Sequence, residues 1–284
     1  MAEVWKLVDT SRVTVGLFRC PPEDAAWRST NDIGDRAHVV YPSTAVVIRQ
    51  RGKDAVLTTP NHAVLYDAGQ LYERELRSDR GDECVFICLS RDALQELAGE
   101  EGVTLLDADC HLRAVHAPTD RNTYLAQHLL IRRLRSRALS KRDGERAAVQ
   151  LVRETLREPL PRPRARRDGT GVAHRFLAEA AKARLAESLG DPLPLRELAR
   201  ALHTSSFHLA RVFRAETGFS VNGYRSALRL RIALSRLEED TDGLSALALE
   251  LGFSSHSHFT DAFRREFGIV PSALCSRAWR RSAR

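Results

Sequence analysis

The chain has 284 residues and a formal charge of +7, a length that exceeds one ordinary hydrophobic core, so two domains and a linker are expected. No run approaches the roughly 20 apolar residues of a membrane crossing and no basic-then-apolar leader opens the chain, so no membrane partner and a cytoplasmic location are expected. The five cysteines, Cys20, Cys84, Cys88, Cys110 and Cys275, are odd in number and form no Cys-x-x-Cys pair, which argues against a redox or zinc framework.

Residues 1 to about 113 are short apolar runs separated by turn residues, the pattern of strands. Val39–Tyr41 and Ala45–Ile48 flank Pro42-Ser43, Ala55–Thr58 and Ala63–Tyr66 flank Pro60-Asn61, and Leu71–Leu76 and Cys84–Leu89 follow. Closely spaced strands of this kind predict an antiparallel β-sandwich or barrel whose interior can hold a small ligand. Tyr41, Tyr66, Tyr72 and Phe86 are candidate effector-lining residues, and filling the core is the alternative role for the same rings. Cys84, Phe86 and Cys88 alternate on one face, so the thiols read as packed side chains. Only His38 and His62 lie among these strands, without a His-x-His pair; His62 reads as a loop residue beside its turn, and neither a metal nor a cofactor is expected.

From Thr119 to Leu139 and from Glu145 to Leu156 the apolar spacing becomes helical. Tyr124, Leu125, His128, Leu129, Ile131 and Leu134 form one stripe, and Ala147, Ala148, Leu151, Val152 and Leu156 another. Such stripes either cover the sheet or pair with a second copy, making a homodimer a candidate assembly. Residues 158–171, rich in Pro, Arg and Gly, read as the linker between domains at 1–157 and 172–284.

The final segment repeats itself. Leu195, Leu198, Ala199 and Leu202 are echoed 49 residues later by Leu244, Leu247, Ala248 and Leu251, and His208–Gly218 is echoed 50 residues later by His258–Gly268. Each copy reads as helix, turn, helix. Ser205 or Ser206, and Ser254 or Ser255, are placed to cap the second helix, while Gly218 and Gly268 are placed to end it. Leu209, Val212, Phe213, Phe259, Ala262 and Phe263 keep helical spacing and are expected in the core. A helix from about Val221 to Leu237 joins the copies.

Charge follows the same division. Residues 172–284 carry 17 Lys+Arg against 12 Asp+Glu, residues 158–171 carry four against two, and residues 1–157 balance at 23 each. The excess therefore sits where phosphate binding would use it, although a merely solvated basic surface has the same composition.

Residues 172–284 resemble the DNA-binding domain of AraC/XylS-type transcriptional regulators. The resemblance is carried by the Leu-x-x-Leu-Ala core of both copies, by His208–Gly218, by Arg229–Leu237 in the joining helix, and above all by Ala248–Ser272. It implies two helix-turn-helix units that bind double-stranded DNA. The expected face is Ser206, Phe207, Ala210, Arg211 and Arg214 in the first unit and His256, Ser257, His258, Asp261, Arg264 and Arg265 in the second. By similarity, Phe207, Ala210, Arg211, Ser257, His258 and Asp261 occupy base-facing positions. Asp261 departs from the basic or polar residue usual there, so the second unit is expected to read weakly or to position more than it specifies. His208 and His258 match each other but lack further zinc ligands.

Residues 34–90 resemble, more loosely, the cupin-like sensor half of such regulators, through His38–Pro42, Asn61–Gly69, Tyr72 and Gly81–Cys84. Together these features predict an α+β chain. Its function is read as a non-enzymatic, sequence-specific transcriptional activator, with a small effector, RNA polymerase and a second copy as further candidate partners. A cupin-type metal enzyme with a DNA-binding tail and a sequence-indifferent architectural DNA binder are the rival readings.

Overall fold

A computed structural model describes residues 1–157, 168–237 and 243–274. The chain forms two compact units, Met1–Leu160 and Pro161–Arg284.

The first unit contains strands β1 (Glu3–Asp9), β2 (Val13–Cys20), β3 (Asn31–Asp32), β4 (Ala37–Pro42), β5 (Val46–Gln50), β6 (Val56–Thr58), β7 (His62–Tyr66), β8 (Leu71–Leu76), β9 (Asp82–Leu89) and β10 (His116–Pro118). Helices α1 (Arg91–Ala98), α2 (Arg121–Arg135) and α3 (Lys141–Arg157) complete it. The strands make a six-stranded sheet in the order β1-β2-β9-β4-β7-β10 and a four-stranded sheet in the order β3-β8-β5-β6. Their pairings are antiparallel.

Alternation along the strands divides the core in two. Val39, Tyr41, Ala63, Leu65, Val85, Ile87 and Leu89 point to one side of the larger sheet, where they meet Leu94, Leu97, Leu130, Ile131, Ala148, Leu151, Val152 and Leu156. Val64 and Tyr66 point to the other side and pack with Val46, Ile48, Val40 and Tyr72 between the sheets. The helical stripes of α2 and α3 therefore cover the sheet. Leu130, outside the predicted stripe, is buried among them.

Three expectations in this unit are corrected. Residues 91–98 form a helix and not a strand, because Ser90 accepts a hydrogen bond from Ala93 N and Ala93, Leu94 and Leu97 supply a buried helical face. Tyr41 turns away from the space between the sheets, as its place between Val40 and Pro42 in β4 requires. It is 1% exposed, and its hydroxyl meets Thr155 Oγ1 of α3 at 2.7 Å, so it does not line the space between the sheets where the other three rings lie. His62 opens β7 and is buried; its Nδ1 lies 3.3 Å from Thr59 Oγ1, and its ring meets that of His116 edge-on at 5.2 Å.

The second unit is helical, with α4 (Asp168–Glu187), α5 (Leu195–Ala201), α6 (Ser206–Thr217), α7 (Val221–Arg236), α8 (Leu244–Glu250), α9 (His256–Phe267) and a 3-10 turn at Pro271–Ala273. The expected linker lies outside the described residues from 158 to 167, but Asp168–Gly171 is helical, which corrects its end. Glycine carries a helix penalty of about 1 kcal/mol, and here the Ala-rich run after Gly171 offsets it by burying Ala178, Ala181 and Leu185.

Ala181, Leu185, Leu198, Leu209, Phe213, Tyr224 and Leu228 form the core of the first helix-turn-helix. The second is built on edge-to-face phenylalanines: Phe253 meets Phe259 at 5.2 Å, Phe259 meets Phe263 at 5.7 Å, and Phe263 meets Phe267 at 4.8 Å.

Candidate nucleic-acid interface and the cavity of the first unit

Helices α6 and α9 are two copies of one local solution. Ser205 Oγ accepts from His208 N at 3.1 Å, and Ser255 Oγ accepts from His258 N at the same distance. The serines immediately before the helices are therefore the caps, satisfying an otherwise orphaned amide. At the other end Gly218 and Gly268 take φ of +78° and +74° and donate to the Arg214 and Arg264 carbonyls at 3.0 and 2.8 Å. That left-handed conformation is open to glycine without a Cβ penalty.

The inner faces carry Leu209, Val212, Phe213, Phe259, Ala262 and Phe263, all buried as their spacing requires. The outer faces carry the predicted contact residues. Arg211 and Arg214 in α6, and His256, Ser257, His258, Asp261, Arg264 and Arg265 in α9, are exposed, while Ser206 and Ala210 are half-buried. Phe207 is 80% exposed, a placement that costs hydration energy and leaves its ring available to a partner. Among the described residues no carboxylate pairs with Arg211, Arg214, Arg264 or Arg265. The nearest polar contact of Arg211 is His208, toward whose Nδ1 its Nη2 donates at 3.4 Å.

The matched histidines serve different surroundings. His208 meets the His174 ring edge-on at 5.4 Å. His258 lies 3.0 Å from Ser254 Oγ and edge-on to Phe253. No cluster of three or more His, Cys, Asp or Glu able to hold a metal occurs among the described residues.

A set of arginines on α7, whose role sequence reasoning missed, ties the two helix-turn-helix copies together. Arg229 donates to the Leu189 carbonyl at 2.6 Å, the Gly252 carbonyl at 3.1 Å and the Asp191 carbonyl at 3.4 Å. It thereby ties the loop before α5 to the turn of the second helix-turn-helix. Burial, with the nearby charge of Arg225, lowers its pKa from the usual arginine value. Arg225 donates to the Leu193 carbonyl at 3.0 Å, and Arg236 pairs with Glu250, one contact being 2.7 Å. A Cβ on Gly252 would lie 2.4 Å from the Gly190 carbonyl oxygen, so the two turns touch backbone to backbone. Arg229→Met is expected to cost about 2–3 kcal/mol, the scale of a lost charged hydrogen-bond set. It should split one cooperative melting transition into two in calorimetry; a single unchanged transition would deny the clamp its role.

In the first unit a cavity of about 250 Å³ lies between the sheets, and Phe18, His38, Tyr66, Tyr72, Asp82 and Phe86 line it. Three of the four aromatics proposed for effector contact are thus brought together there, and Tyr41 is not. His38 Nδ1 donates to the Arg36 carbonyl at 3.0 Å, leaving Nε2 to accept from the Cys88 thiol at 2.8 Å. Burial lowers the His38 pKa and pushes the Cys88 thiol up to about 12, so both are neutral near pH 7. Asp82 and its partner Arg74 escaped the sequence reading. The ion pair, at 3.0 Å, is buried, and the Arg74 guanidinium lies over the Phe18 ring at 4.9 Å and the Trp27 ring at 5.4 Å.

A family model described as a helix-turn-helix domain matches residues 198–277. The chain is 32% identical over 171 residues to the HTH-type transcriptional regulator RipA of Corynebacterium diphtheriae, covering 60% of this chain and 46% of RipA. It is 29% identical over 147 residues to the HTH-type transcriptional activator RhaR of Klebsiella pneumoniae, covering 51% of this chain and 50% of RhaR. The chain thus spans about half the length of these relatives, and less of several others. Among solved structures, the DNA-binding domain of AdpA, a global transcriptional factor, in complex with a target DNA, is 30% identical. That match covers 38% of this chain and 95% of the AdpA chain, with a TM-score of 0.34. No helix among the described residues is long and apolar enough to cross a membrane.

Proposed function

Because the C-terminal unit carries a helix-turn-helix domain of the AraC type, we propose that the chain is a sequence-specific, non-enzymatic transcriptional regulator whose helices α6 and α9 enter two successive major grooves of double-stranded DNA. The observation that carries this reading is the pair of identically capped helices with exposed, carboxylate-free arginines, joined through the Arg229 clamp. Helix α7, with 16 residues, is about 24 Å long at 1.5 Å per residue. It serves as a strut between two readers whose targets lie about 34 Å apart, one turn of duplex.

The two readers differ chemically. The first offers a guanidinium beside an exposed phenyl ring, suited to guanine O6 and N7 with a neighbouring thymine methyl. The second offers Ser257, His258 and the Asp261 carboxylate, which accepts from cytosine N4 but repels phosphates. The operator is therefore asymmetric, with its stronger block under α6. The first unit is the regulatory half, taking a small effector in its cavity or pairing with a second copy, and the regulator acts in the cytoplasm as an activator that engages RNA polymerase.

Selection of genomic fragments on the full-length protein at physiological salt, followed by sequencing, tests the DNA reading. The expected product is one asymmetric motif of two short blocks about one helical turn apart. Recovery of fragments without a shared motif would favour sequence-indifferent binding and reject it.

A further inference from the structure

Within the sandwich, the walls of the cavity carry an unusual combination of charge and ring faces. Asp82 contributes a carboxylate, no lysine or arginine lines the space, and Phe18, Tyr66, Tyr72 and Phe86 supply the aromatic surface. Asp82 is 8% exposed. Its Oδ2 accepts from Arg74 Nη1 at 3.0 Å, and its Oδ1 has no protein partner among the described residues. Tyr66 is 3% exposed, and its hydroxyl likewise has no hydrogen-bond partner in the protein among the described residues. Its ring stands 5.0 Å from that of Tyr72.

A ligand that fills the cavity without bonding these two atoms leaves them buried and unsatisfied, which is costly. An anionic ligand would face the Asp82 carboxylate with no lysine or arginine lining the space. A hydrocarbon would remove water from Asp82 Oδ1 and the Tyr66 hydroxyl without replacing its hydrogen bonds. An ammonium donates to the carboxylate and rests against aromatic faces, where the ring quadrupole attracts it. The neighbourhood already holds one cation this way, since Arg74 lies over Phe18 and Trp27.

We propose that this cavity binds a small organic ammonium ion, its nitrogen at Asp82 and Tyr66 and its apolar body among Phe18, Tyr72 and Phe86. The proposal rests on the reading of the first unit as the effector-sensing half, and it names that effector's class. The volume of about 250 Å³ suits a molecule of one ring and a short chain, and His38, neutral in its bond with Cys88, adds no positive charge to oppose it.

Three probes that share a phenyl ring and a short chain decide the matter: phenethylamine, 2-phenylethanol and 3-phenylpropionate, titrated calorimetrically into the full-length protein at pH 7. Phenethylamine is expected to bind at least about tenfold more tightly than the alcohol, a difference of about 1.4 kcal/mol, and the carboxylate not to bind. Asp82→Asn should abolish the preference for the amine, and Tyr66→Phe, which keeps the ring and the fold, should weaken amine binding severalfold. The proposal is overturned if the alcohol or the carboxylate binds as well as the amine, if none binds, or if Tyr66→Phe leaves amine affinity unchanged. Binding is read directly and apart from DNA. A protein that selects its operator but ignores the amine rejects this proposal alone, whereas one that takes the amine but selects no operator rejects the DNA reading alone.

Discussion

Phe263→Ala is expected to unfold the second helix-turn-helix, at a cost of about 3–5 kcal/mol. Phe263 is fully buried and is the shared neighbour of Phe259 at 5.7 Å and Phe267 at 4.8 Å. Removing it leaves a ring-sized void that two flanking rings, themselves anchored in α9, cannot close. The edge-to-face contacts it makes are lost in addition to its transfer energy. The first helix-turn-helix has its own core of Phe213, Tyr224 and Leu228 and should retain its structure. Urea denaturation followed by circular dichroism and by amide resonances of α9 measures the effect. A fully folded variant of unchanged stability would contradict the packing described for this helix.

The second large effect is expected at Arg211. Its guanidinium is exposed on the outer face of α6, one helical turn from Phe207, and has no carboxylate to hold it among the described residues. A fork of donors so placed can bond guanine O6 and N7 together, a contact worth about 1–3 kcal/mol of discrimination. Arg211→Ala should lower affinity for the selected operator by that amount and relax preference at one base pair, with little change in folding. Arg211→Lys keeps the charge but loses the planar fork, so it should restore little of the specificity. Binding measured on the operator and on single-base variants separates the two roles of an arginine. Equal weakening on every sequence would assign Arg211 to phosphate and move the base reading elsewhere on the face.

Local patterns made much of this legible. The doubled Leu-x-x-Leu-Ala core, the serine before each second helix and the glycine after it are short-range signals with one physical solution each, and they located the caps and core of α6 and α9. The strands around Val39, Val46 and Val64 were legible for the same reason, since alternation and turn residues act locally. What was hidden depended on tertiary contacts. Tyr41 shares its aromatic character with Tyr66 and Tyr72, but a ring in a strand chooses its side by parity, and its partner Thr155 lies 114 residues away. The Arg229 clamp, which joins a helix to two loops, is likewise invisible to periodicity, and the Asp82–Arg74 pair, only eight residues apart, depends on β8 and β9 falling in different sheets. Helix α4 was masked at its start by glycines that usually signal a break, although the alanines beyond them favour the helix.

The backbone contact between Gly190 and Gly252, locked by Arg229, bears on the DNA as much as on the protein. On the proposed reading, a base pair inserted between the two operator blocks would carry the second block about 3.4 Å along the duplex and turn it by roughly 34–36° about the axis. A hinged pair of readers would absorb that change, but readers fixed through shared carbonyls cannot. Spacing is then a coordinate of recognition in its own right. Point substitutions within a block weaken such an operator by degrees, whereas a single insertion between the blocks separates it into two half-sites that one molecule cannot occupy together.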